Sequence, residues 1–233
     1  MIQPSENDRF LNLVTLTGAD DSVRHGDLLS LAKEFPYVEF GILLDPSLQG
    51  QSGHPSEFWL FGIRKLADLG VRFAGHIDGR WAGDILEGRW SIFEGRPWLS
   101  GCFSRLQINP GRRDDIGHLV WPFGRKKELI VQGDAKTEEM LRHIRAQSVS
   151  AAVLYRREDS SPWPPSDHYA GYAGGLGSDN VADELPRILR GASSAWICAG
   201  ASLRRDGKFS VAKCACFLED ARPWVHMPWP FGE

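Results

Sequence analysis

A chain of 233 residues, 42% of them hydrophobic, can bury a sizeable core, and one domain spanning 1–233 is the simplest expectation. The formal charge of -3, with no basic run longer than "GRKKE" around Lys126, speaks against nucleic acid as a partner. No run of about 18 apolar residues occurs and the opening "MIQPSENDRF" is polar and acidic, so neither a membrane span nor a signal peptide is expected, and the expected compartment is the cytoplasm.

Short apolar runs bounded by turn residues alternate along the chain with segments of helical period. "FLNLVTL" reads as a strand ending near Thr17, followed by a helix with Asp21 or Ser22 as its cap. "YVEFGILL" ends near Leu44, and after the long stretch "DPSLQGQSGHPS" comes a helix capped by Ser56, with Glu57 in its first turn and Gly70 as its stop. "VRFAGHI" ends near Ile77 and leads into an extended return carrying Trp81, Trp90 and Trp98. "SRLQIN" ends near Asn109 and "ELIVQ" near Gln132, and the next helix is expected from Thr137. "SAAVLY" ends near Tyr155 and is followed by the proline-rich "REDSSPWPPSDH". "HYAGYA" ends near Ala173, ahead of a helix beginning at Ser178 that Pro186 is expected to kink or split. "SAWICA", near Ala199, and the helix in "KFSVAKCACFLED" close the series.

Eight strand-then-helix units in this length predict a single-domain (β/α)8 barrel of the TIM type. The competing doubly wound sheet lacks support at its first turn, because "TLTGADDS" has no G-x-G-x-x-G fingerprint. Of the four cysteines, Cys102, Cys198, Cys214 and Cys216, none form a C-x-x-C pair; "KCACF" sets two at positions of a helix that point apart, so buried thiols are expected, with no metal and no cofactor. The long returns and the repeated Pro-aromatic segments "VWPFG" and "MPWPFGE" are expected to pack on the barrel; the alternatives are a lid over a ligand and a Trp-rich surface joining copies of the chain in a homo-oligomer.

The turns after the seventh and eighth strands carry the clearest functional signal. In a barrel these two loops commonly hold a phosphate. Gly174 and Gly175 let backbone amides approach an anion, the next helix adds its N-terminal partial charge, Gly200 repeats the arrangement one unit later, and Ser202 offers a hydroxyl. Arg204 and Arg205 stand close enough in sequence to add charge. The expected partner is a phosphorylated small molecule.

"YAGGLGSDNV" resembles the seventh-strand motif of phosphoribosylanthranilate isomerases, an apolar residue and Ala-Gly-Gly-Leu followed after two residues by an acid and Asn-Val. "LVTLTGADD", "SRLQINP" and "GKFSVAKCACF" are similar to further pieces of that family in the same order. The resemblance implies a barrel holding the phosphate of a sugar derivative at Gly174, Gly175 and Gly200. The family's rearrangement needs an acid and a base across the barrel mouth. Here Val14 stands at the base cysteine of the first strand, Tyr155 at the acid aspartate of the sixth, Trp196 at the acid of the eighth, and Asn109 at the histidine of the fourth.

Other polar groups stand at expected strand ends. His76 and Asp78 form a pair in which the carboxylate orients the imidazole or raises its pKa. Asp134 and Tyr155 complete the set of candidate proton-transfer groups, Asp45 is a further polar residue, and Glu39 lies mid-strand, facing either the barrel interior or a shifted register. Two functions follow: isomerase or lyase chemistry unlike the family's, or a catalytically silent barrel that binds a ligand or a protein.

Overall fold

The computed structural model describes residues 11–109, 119–133, 135–146, 148–158, 161–192 and 194–225. Eight parallel strands, paired in chain order, close into a barrel: β1 (Leu11–Thr17), β2 (Val38–Leu44), β3 (Phe73–Ile77), β4 (Arg105–Ile108), β5 (Glu128–Gly133), β6 (Ser150–Arg156), β7 (Ala170–Ala173) and β8 (Ala195–Ala199). Closure comes from β8 pairing with β1, with Val14 opposite Ile197 and Leu16 opposite Ala199. The helices are α1 (His25–Glu34), α2 (Glu57–Asp68), α3 (Gly79–Leu86), α4 (Pro97–Cys102), α5 (Ala135–Ala146), α6 (Val181–Leu189) and α7 (Val211–Ala221), and a small hairpin of β9 (Arg204–Arg205) and β10 (Lys208–Phe209) follows β8. An isolated parallel bridge between Leu11 and Val225 brings the chain after α7 back beside the start of β1.

Alternating strand residues build two cores. Those turned outward, such as Val14, Phe40, Phe73 and Ile197, pack under the helices. Those turned inward fill the barrel with Leu13, Ile130, Ala152, Leu154 and Trp196. Glu39 belongs to the inward set and is fully buried: its Oε1 accepts from Thr15 at 2.9 Å and from Arg105 at 3.1 Å, and Arg105 also pairs with Glu128 at 2.7 Å and lies over the Trp196 ring.

The eight strands stand where the sequence places them, but the rhythm of returns differs. No helix links β4 to β5 or β6 to β7 among the described residues. After β6 the chain instead lays Trp163 edge-on against Tyr172, whose hydroxyl donates to Pro164 O, and Ser166 N donates to Gly191 O. Arg157 stacks on the Trp163 ring and pairs with Glu184 of α6 at 3.0 Å, and Trp163 Nε1 donates to the same carboxylate. Prolines and one tryptophan thus do the covering that a helix does elsewhere. This stretch packs on the outside of the barrel, as does Trp121–Phe123, which clusters with Trp90 and Phe93. The second Pro-aromatic segment, "MPWPFGE", lies outside the described residues.

Helix starts shift by a few residues. Arg24, not Asp21 or Ser22, precedes α1; Asp21 instead accepts from Ser56 N, and Asp20 from Ser22. Ser56 does cap α2 by accepting from Trp59 N. Helix α5 starts at Ala135, two residues before Thr137. Helix α6 begins at Val181 rather than Ser178 and runs through Pro186 without a break. Pro186 is the sixth residue of α6, so the one i→i−4 bond that its missing N–H forgoes is the one to the Ala182 carbonyl, near the start of the helix. Cys214 is buried and Cys216 exposed, on opposite sides of α7.

Candidate functional site at the barrel mouth

A cavity of about 450 Å³ opens where the strands end, and residues from the ends of all eight strands or their following loops line it. On one side lie Gly174, Gly175 and Leu176 after β7 and Gly200, Ala201 and Ser202 after β8. Gly174 and Gly175 have φ of 98° and 68°, and a Cβ on Gly174 would fall 1.8 Å from the Arg157 carbonyl oxygen, so only glycine fits there. Asn180 shapes the same loop, donating to Gly175 O at 2.7 Å and accepting from Gly177 N at 2.9 Å. Ser202 Oγ donates to Leu176 O at 2.5 Å and so joins the two loops. Among the described residues, the amides of Gly174, Gly175, Gly200, Ala201 and Ser202 have no acceptor.

The sequence-level glycines therefore converge on one cavity, while the two arginines do not. Arg204 turns away to Gly18 O at 2.6 Å and Asp20 at 2.6 Å, and Arg205 is exposed on the hairpin. Burial pushes the Asp20 carboxyl up, but hydrogen bonds from Ser22, Gly53 and Arg204 outweigh it and hold the pKa below the usual carboxylate range. This ion pair fastens the loops after β1, β2 and β8 to one another.

Across the mouth stand His76, Asp78, Gln107 and Asn109. Gln107 Nε2 donates to Asn109 Oδ1 at 2.7 Å and Asn109 Nδ2 donates to Asp78 Oδ2 at 3.2 Å, a chain running from β4 to the start of α3. Burial raises the Asp78 pKa above its ordinary value, the Asn109 bond opposing it. His76 does not behave as the pairing with Asp78 suggests. Burial, and after it the charge of Arg105, push its pKa down to about 3, so the ring is neutral at physiological pH. Gly41 on β2 makes the room for it: a Cβ there would lie 3.0 Å from His76 Nε2 and 2.6 Å from Thr17 Oγ1.

Two positions drawn from the family comparison are one residue out of phase. Tyr155 faces outward, buried with its ring 5.7 Å from Tyr172, and the inward residue at the end of β6 is Arg156, which lines the cavity. Val14 likewise faces the helices, and Thr17 is the β1 residue at the mouth, 3.0 Å from Cys198 Sγ. Asp45 accepts from Ser47 N and Oγ and shapes a turn outside the cavity. Asp134 lies outside the described residues. The sequence also sets Arg156 beside Tyr155 at the end of the sixth strand, and sequence reasoning missed Gln107 and Asp179, both in the lining. Asp179 sits in the quoted glycine motif, where its acid character was the available signal.

No protein-family model matches the chain, and no curated protein matches it in sequence. Solved structures do match. Monomers of the dimeric phosphoribosylanthranilate isomerase of Thermotoga maritima align over 91% of this chain and 99% of theirs, at 15% identity and a TM-score of 0.54. A phosphoribosylanthranilate isomerase in complex with reduced 1-(o-carboxyphenylamino)-1-deoxyribulose 5-phosphate aligns over 91% and 99% at 14% identity and a TM-score of 0.57. The phospho-2-dehydro-3-deoxyheptonate aldolase of Thermotoga maritima aligns over 93% of this chain and 68% of its own at 13% identity and a TM-score of 0.59. The chain thus has the eight-stranded barrel fold of the phosphoribosylanthranilate isomerases, at a sequence distance that carries the fold alone.

Proposed function

We propose that the barrel binds a phosphorylated small molecule at its mouth and carries out isomerase or lyase chemistry different from that of phosphoribosylanthranilate isomerases. The observation that supports this most is the set of five acceptor-free amides, at Gly174, Gly175, Gly200, Ala201 and Ser202, lining one cavity from two loops. Backbone amides fixed in this way bind a phosphate with no reorganisation, and glycine removes the side chain that would keep it out. Asp179 in the same lining opposes the anion, and Arg156 on the sixth strand favours it.

In this reading Asp78 is the proton-transfer group. Its raised pKa brings it toward the range in which a carboxyl can both give and take a proton, and Asn109 fixes its orientation. His76, held neutral, is a hydrogen-bonding partner for the ligand rather than a base. Tyr155, on the outer face, takes no part.

A catalytically silent binding barrel is the second reading. Thr17 and Arg156, the inward residues at the ends of β1 and β6, favour it, since neither is an acid or base suited to neutral pH. Thermal denaturation across a panel of phosphorylated sugars and their dephosphorylated counterparts tests the shared premise. A ligand at 100 times its dissociation constant stabilises the fold by about 2.7 kcal/mol. Phosphorylated compounds are expected to raise Tm and their counterparts to leave it unchanged; no shift with any of them, or with inorganic phosphate, removes both readings. Turnover lost in Asp78→Asn with binding retained then favours the enzyme over the silent barrel.

A further inference from the structure

Among the described residues, the large apolar side chains that stand exposed are Phe58, Phe61, Leu69 and Val120, and the first three belong to α2 or to the residue that ends it. Phe58 is 92% exposed and Phe61 60%. The buried side of the same helix is already complete, with Trp59, Leu60, Ile63 and Leu66 turned to the barrel. Two phenylalanines one turn apart on the opposite side contribute nothing to that packing. Apolar residues exposed singly are ordinary, whereas a cluster of them marks a contact surface.

This cluster is braced from the side. The Phe61 ring meets Trp98 of α4 edge-on, with centroids 5.4 Å apart, and Arg96 grips Glu57 through two hydrogen bonds of 2.7 and 2.8 Å. The Arg96 bonds hold the Glu57 carboxyl below the usual carboxylate range, so it carries its charge at neutral pH. An aromatic anchor fixed before contact loses little freedom on association.

The charges beside the phenylalanines match a second copy of the same face. At about 100° per residue, Glu57 and Arg64 fall on one flank of Phe61, and Phe58 and Lys65 on the other. Glu57 and Phe58 precede Phe61 by four and three residues, and Arg64 and Lys65 follow it by three and four. A two-fold axis at Phe61 that sets two α2 helices antiparallel therefore lays Phe61 on Phe61. It also puts Glu57 against Arg64 of the second copy, and Phe58 against the stem and ammonium of Lys65 of the second copy. All five side chains are exposed. We infer that the outer face of α2 is a homodimer surface, centred on Phe61 and closed at each end by Glu57 and Arg64 from different copies. No residue of α2 lines the mouth cavity, so this pairing stands apart from the function proposed there.

Analytical ultracentrifugation of the full chain from about 1 µM to about 1 mM is the test. The parent is expected to pass from one copy to two within that range. Phe58→Glu and Phe61→Glu are each expected to weaken the dimer about tenfold or more. Phe58→Glu, at a side chain that the fold leaves in water, is expected to keep the parent's Tm at the lowest concentration, so its loss of dimer is not a loss of fold. Arg64→Glu sets two carboxylates together at each end of the pairing; it is expected to weaken the dimer at low salt and to regain part of its strength at high salt. A parent that stays monomeric throughout, or a dimer undiminished in Phe58→Glu and Phe61→Glu, overturns the assignment of this face. A dimer lost in those two variants and unaffected by Arg64→Glu overturns the antiparallel pairing.

Discussion

Gly174 and Gly175 are adjacent and both left-handed, yet they answer to different constraints. A methyl at Gly174 runs into the Arg157 carbonyl, whereas Gly175 has no neighbouring atom within 4 Å and faces only the cost of its φ. Gly174→Ala is expected to cost about 2 kcal/mol or more and Gly175→Ala about 1 kcal/mol, a difference that paired thermal or urea denaturation resolves. Asp179 gives a sharper test of the cradle. Removing its charge in Asp179→Asn is expected to tighten inorganic phosphate binding by about threefold to tenfold at low salt, measured by calorimetry; unchanged affinity places the anion elsewhere. His76 governs part of the acid limb. Its folded pKa of about 3 lies below the unfolded value of about 6.5, so the unfolded chain binds more protons between them and stability falls as pH drops through that window. His76→Gln is expected to lose less Tm between pH 7 and pH 5 than the parent, and an equal loss would show that the buried imidazole does not set the slope. At this scale the sequence says what a residue is and not where it points. "AAVLY" is apolar at every position because a barrel strand is buried on both faces, so no alternation marks Tyr155 as outward and Arg156 as inward.

The strands were legible as elements for the same reason that their facing was not: short apolar runs between turn residues are what a doubly covered parallel strand requires. The returns were less so. "REDSSPWPPSDH" announces by its prolines that it is not helical, but its cover of Tyr172 depends on a tertiary match between Trp163, Arg157 and Glu184 that local patterning does not encode. Trp163→Ala is expected to cost about 2 kcal/mol through lost packing, cation–π contact and a hydrogen bond, with the mouth left intact. Phosphate affinity equal to the parent's, measured beside the drop in Tm, separates this outer layer from the site. Asn180 works the other way. It holds the β7 loop by two bonds, so Asn180→Ala is expected to lower phosphate affinity more than it lowers Tm.

At the scale of the whole molecule, the barrel is tied across its opening as well as around its wall. Asp20 and Arg204, 184 residues apart, join the loops after the first and eighth strands, and Gly53 N brings in the loop after the second. The adjacent arginines at 204 and 205 gave no sequence sign of this, since the partner comes from the other end of the chain. The barrel itself, eight units in 233 residues, was legible, as was the meeting of two glycine turns at its mouth. The chemistry beyond phosphate holding depends on which neighbours a closed sheet brings together, and no spacing along the chain reveals that.

The bridge between Leu11 and Val225 has an engineering consequence. Where the first strand begins and where the chain leaves the last helix are side by side, on the face away from the mouth. A short linker can therefore join them and the chain be reopened in another return, giving a circular permutant in which all eight strands keep their neighbours and the glycine turns remain undisturbed.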